Sequence, residues 1–211
     1  YSLDHFNCAH GLGHGLLGVE GDNLFVALTT CDRLSDPWER SSCYGGVFME
    51  NIMIPLREGG TSEYLKADQP MYPCTAVDTK YKDQCYGMQT SYALQVNSYD
   101  FSKVASLCQN LTDVDFVGKC YQSLGRDVSG STNAEIHATK AKCAVALDTE
   151  GEKNCMIGAV KDIAYHDHSD VNAQAYCALY EAGELRSICT ITLESYMPSF
   201  RKPGQASNAR E

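Results

Sequence analysis

The sequence predicts an all-α protein assembled from helix–turn–helix repeats of about 35 residues, with one disulfide in each repeat. Three observations carry that prediction. Ten of the eleven cysteines fall into five pairs whose members stand 12, 11, 12, 12 and 12 residues apart. The second members, with Cys8 ahead of them, fall at 8, 43, 85, 120, 155 and 189, in steps of 35, 42, 35, 35 and 34. A fixed period of this size marks a repeat array. Within each period, two stretches with apolar residues at helical spacing flank a short polar turn.

Taken in chain order, residues 1–20 read as half a repeat, because CAHGLGHGLL aligns with CYGGVFMEN as a second helix. A full repeat spans about 21–53. The one long step holds IPLREGGTSEYLKADQPMYP (54–73), whose glycines and prolines read as an inserted loop. Repeats follow at about 66–98, 99–130, 131–167 and 168–198. The clearest are SKVASLCQNL, TDVD, FVGKCYQSLGRDV and then NAEIHATKAKCAVAL, DTEGEK, NCMIGAVKDIAYH. Residues 1–198 thus form one domain, and the Pro-, Gly- and Arg-containing end, 199–211, is expected to be a flexible tail.

A turn of four to six residues forces its two helices antiparallel. A cysteine just before the turn then faces one just after it, which predicts Cys31–Cys43, Cys74–Cys85, Cys108–Cys120, Cys143–Cys155 and Cys177–Cys189. Closing each loop contributes roughly 2–3 kcal/mol in the chain-entropy model. A zinc site built from these cysteines is disfavoured, since there is no CxxC and each unit offers only two ligands. Persistent disulfides place the protein in an oxidising compartment: secreted, at the cell surface or periplasmic.

Aligned on the cysteine, positions 0, +4 and +8 of the second helices form a mostly apolar stripe, the predicted core face. Position +3 is mostly small: Gly11, Gly46, Met88, Ser123, Gly158 and Thr192. Tyr44, Tyr86 and Tyr121 directly follow their cysteines and are expected to join successive repeats.

A helix–turn–helix unit of this length resembles the tetratricopeptide-like superfamily of α/α repeats, and a bridge in every unit resembles its secreted, cysteine-rich branch. The resemblance implies a right-handed α-solenoid whose concave surface holds a partner. A net charge of −10 disfavours nucleic acid as that partner. No apolar run approaches the roughly 20 residues of a membrane helix, and YSLDHFNC lacks the basic and apolar regions of a signal peptide, as expected of a mature or trimmed form. A protein or peptide partner in the groove is the leading expectation.

The opening stretch, HFNCAHGLGHGLLG (5–18), is the sharpest local signal. His10 and His14 lie at +2 and +6, one helical turn apart, a spacing at which two imidazoles can grip one ion. Glu50, at +7 of the next second helix, lies within joint reach. The candidate metal site is therefore His10, His14 and Glu50, with His5 and Cys8 as extra ligands and zinc, copper or iron as the ion. With an open coordination position it would make the protein a metal-dependent enzyme. Against it stands the reading of ordinary polar surface and packing. The four glycines cost such a helix roughly 3–4 kcal/mol, which close approach to a ligand or a neighbouring helix would explain. Cys8 has no partner in its own half repeat and is expected to bridge to a preceding segment or to another chain, or to be free. GHGLLG matches G-x-G-x-x-G but follows no strand, so dinucleotide binding is disfavoured.

A second candidate surface is the row Asn51, Arg126, Asp127, Lys161 and Asp162, charged or polar residues at +6 to +8 that could line the groove. YHDHSD (165–170) reads as helix punctuation rather than a metal site.

Overall fold

The computed structural model describes residues 2–144 and 148–200; the expected tail falls almost wholly outside them. Among the described residues ten α-helices and no strands are present. They are of two kinds. Six long helices, α1 (Leu3–Val19), α3 (Pro37–Met53), α4 (Thr79–Val96), α6 (Val117–Ser131), α8 (Thr149–Asp167) and α10 (Glu184–Tyr196), stack side by side in chain order. Four short ones, α2 (Leu24–Cys31), α5 (Phe101–Gln109), α7 (Ile136–Cys143) and α9 (Val171–Ala178), pack behind them, each against the long helix that follows it.

Local chemistry starts these helices where the pattern placed them. Asn23, Asp36, Asp78, Asp100 and Asp148 each accept a backbone N–H of the first turn, and Pro37 occupies the first position of α3. Such caps satisfy donors that the helix itself leaves unpaired.

Five disulfides pair Cys31–Cys43, Cys74–Cys85, Cys108–Cys120, Cys143–Cys155 and Cys177–Cys189. Four of them tie a short helix to its long partner. The fifth starts from Cys74, in a segment without α-helix between α3 and α4, so irregular chain takes the place of a short helix there. That segment is packed down rather than looped out. Tyr64, Met71 and Val77 are buried, and the Gln89 side chain donates to Pro70 O at 2.9 Å and Tyr72 O at 2.8 Å.

The stripe at 0, +4 and +8 is buried from α3 onward, for instance Val47, Ala93, Leu124, Val128, Ala159 and Ile163. On α1 it is not: Cys8 is exposed and Leu12 is 43% exposed, because no short helix covers that face among the described residues. At three of the crossings, α1 on α3, α4 on α6 and α6 on α8, position +5 of one long helix meets +3 of the next. Gly13 meets Gly46 and Gly125 meets Gly158 so closely that a Cβ on Gly46 would lie 1.9 Å from His10 O, and one on Gly158 1.8 Å from Gln122 O. Thr90 and Ser123 occupy the same two positions and join by a 2.5 Å hydroxyl contact.

Candidate functional site

One cavity of about 560 Å³ is lined by all six long helices, from His10 on α1 to Tyr196 on α10, with Met49, Met88, Arg126 and Lys161 between. A row of helices whose first and last members share one cavity must curl around it. The curl brings the opening motif and the polar row together. The histidines at +2 and +6 of α1 and the cations at +6 of α6 and α8 face the same space.

At the α1 end, the position of each imidazole is fixed by a different acceptor. His10 Nδ1 donates to Ser42 O at 3.3 Å, because a carbonyl can only accept. Its Nε2 then carries the lone pair and stands 3.4 Å from Met49 Sδ. His14 Nδ1 donates to Glu50 Oε2 at 2.6 Å, and Glu50 also pairs with Arg57. The rings of His10 and His14 meet edge-on, 4.9 Å between centroids, and Phe6 stacks on His10 at 5.0 Å. Burial, reinforced by His14, pulls His10 down to about 4, and burial followed by Arg57 pulls His14 down as well.

The expected ligand set of His10, His14 and Glu50 is therefore only partly assembled. Glu50 reaches His14 alone, from outside the cavity lining, and among the described residues no three His, Cys, Asp or Glu side chains converge as a metal site would need. His5 pairs with Glu39 at 2.8 Å, and Cys8 is exposed and no part of the lining. Of the four glycines, Gly13 serves a helix crossing, whereas Gly11, Gly15 and Gly18 have open space where a Cβ would sit.

In the middle of the groove Arg126 is already engaged. It donates to Gly87 O, Ser91 Oγ and Asp127 Oδ1, each at 2.8 Å, and Asp127 in turn accepts from Thr90 at 2.6 Å and Ser91 at 2.8 Å. This network stitches α4 to α6. Asn51 is fully buried and accepts from Ser62 at 2.6 Å, so it anchors the irregular segment and stays out of the groove.

Lys161 is different. It lines the cavity and makes no hydrogen bond or ion pair with any described residue. Burial, then the nearby Lys119, pulls its amine down, and burial pushes the neighbouring Asp162 up. Lys119 itself pairs with Asp83 at 2.9 Å. The groove thus offers an unpartnered cation between aromatic and thioether surfaces.

His166 and Asp167 pair at 2.9 Å and His168 ends α8 in the left-handed region with φ 49°, the punctuation expected of YHDHSD. Sequence reasoning missed Met49 and Met88. Both lie on rows already singled out, +6 and +3, but +6 stands out for its histidine and cations and +3 for its small side chains. No helix of the described residues is long and apolar enough to cross a membrane. No family model matches the chain, and neither the curated proteins nor the solved structures contain a match to it.

Proposed function

We propose that the protein is an extracytoplasmic helical scaffold, a right-handed α-solenoid of about 35-residue units, whose concave groove binds a protein or peptide segment that presents a carboxylate among apolar side chains. The observation that carries this reading is Lys161, a cation held in the cavity without a partner. A largely buried charge costs free energy unless an opposite charge meets it, and a carboxylate from outside is the group that would supply one. Phe6, Met49, Met88, Tyr165 and Tyr196 give the flanking apolar contact. The cavity volume falls in the range that holds a few side chains of a ligand. Five bridges keep such a scaffold folded where thiols are oxidised, which favours a secreted, cell-surface or periplasmic setting.

The test is selection of displayed random peptides on the intact protein, with counter-selection on Lys161→Met, which keeps the length of the stem and removes the charge. Enriched peptides should carry Asp, Glu or a free C-terminus, and their affinity should fall at least tenfold in the variant. Peptides with no acidic preference, or an affinity that Lys161→Met leaves unchanged, would sink the reading.

A further inference from the structure

We infer that the α1 end of the groove is a soft-metal site in which His10 Nε2, His14 Nε2 and Met49 Sδ bind copper(I). It goes beyond the peptide-binding reading, and neither depends on the other.

The hydrogen bonds behind the two imidazoles are the first ground. A metal-binding histidine nearly always donates its remote ring N–H to a carboxylate or a backbone carbonyl, which fixes the tautomer and aims the other nitrogen. Both rings do so here. His10 Nδ1 is spent on Ser42 O and His14 Nδ1 on Glu50, so both free lone pairs reside on Nε2. Glu50 is thereby an orienting group, itself held by Arg57, and not a ligand.

The second ground is the contact between His10 Nε2 and Met49 Sδ. These are two Lewis bases 3.4 Å apart with no proton between them. With a metal–nitrogen bond of about 2.0 Å and a metal–sulfur bond of about 2.3 Å, that separation closes an angle of about 105°, near the tetrahedral value. The pair stands at the separation that one shared ion requires. His14, its ring centroid 4.9 Å from that of His10 and lining the same cavity, supplies the third donor. The thioether decides the class of ion, because neutral nitrogen and sulfur donors with no coordinating carboxylate favour copper(I) over zinc or the harder divalent ions.

The experiment uses the oxidised chain with Cys8→Ser, which removes the exposed thiol as a rival ligand. Copper(I) is supplied anaerobically as its acetonitrile complex, without thiol reductant, in competition with the chelator bicinchoninate. One ion per chain should be retained, a tenfold excess of zinc should not displace it, and the Met49 methyl resonance should shift on binding. His10→Ala and Met49→Leu should each weaken retention at least tenfold, and Glu50→Gln should weaken it while keeping one ion per chain. Circular dichroism shows whether each variant is folded. Met49 is 38% exposed, so its leucine variant keeps the packing. Failure to hold copper(I) against the chelator overturns the proposal. So does retention that Met49→Leu leaves intact while removal of the Glu50 carboxylate abolishes it, since the ligands would then be His10, His14 and Glu50.

Discussion

Of the three tyrosines that follow a bridging cysteine, Tyr44 and Tyr86 end on a carboxylate, whereas the buried hydroxyl of Tyr121 has no hydrogen-bond partner among the described residues. Tyr44 donates to Asp32 at 2.5 Å, where Tyr81 from the next long helix joins it at 2.7 Å. Tyr86 is fully buried, donates to Asp113 at 2.6 Å and stacks on Phe116. Lys80 pairs with Asp32 at 2.8 Å and Lys82 with Asp113 at 2.6 Å. Although burial alone would push Asp32 up, the hydrogen bonds from Lys80, Tyr44 and Tyr81 hold it below the usual carboxylate range. The bonds from Lys82 and Tyr86 do the same for Asp113. A carboxyl group whose pKa is lower in the folded than in the unfolded chain adds stability that is complete above the unfolded value near 4 and disappears as pH falls through the folded one. Tyr86→Phe should therefore cost about 1.5 kcal/mol at pH 7, as for a hydrogen bond to a charged acceptor, and less at an acid pH that protonates Asp113 in the folded chain. Urea unfolding at the two pH values checks this. A cost that does not change with pH would mean that the phenol acts through packing alone.

At the scale of the helix, the crossings divide the glycines into two kinds. Gly46 and Gly158 let backbones touch, and a methyl group on either would strike a carbonyl of the preceding long helix. Gly11 and Gly15 meet nothing there. Gly46→Ala and Gly158→Ala should each destabilise by about 2–3 kcal/mol, the cost of overpacking against rigid backbone. Gly11→Ala and Gly15→Ala should each stabilise α1 by about 0.5–1 kcal/mol. Chemical denaturation of the four variants reads both signs, and a loss at Gly11 or Gly15 would show that their open face is covered in solution. The small residues at +3 were legible in the sequence as close-approach positions, as were the cysteine pairs and the buried stripe, because each repeats in fixed register. The unhelical run before Cys74 was not, since a bridging cysteine carries no record of whether its own segment is coiled. Nor was the fate of Arg126 and Asp127. Their partners Thr90 and Ser91 belong to the preceding repeat, and register alone does not say which hydroxyls a curled array will bring to them.

The curl is a property of the whole row, and the site follows from it. His10 and Lys161 are 151 positions apart and line one cavity only because six long helices turn around a common space. No single repeat contains that information. What holds the row is nevertheless local. Each bridge closes a loop of 11 or 12 residues inside its own unit, and long-helix contacts run from neighbour to neighbour. In such an array stability is close to a sum of unit and interface contributions. Each bridge contributes roughly 2–3 kcal/mol, so five together match the whole net stability of about 5–15 kcal/mol typical of a folded protein. Full reduction should therefore unfold the chain at room temperature or lower its Tm by more than 20 °C, whereas Cys177→Ala/Cys189→Ala, which opens one terminal unit, should leave the cavity residues from α1 to α6 folded. Calorimetry of the reduced protein, with hydrogen exchange on the double variant, separates the two. A reduced protein that melts within a degree or two of the oxidised one would mean that packing across the crossings, and not the staples, sets the stability of the curl.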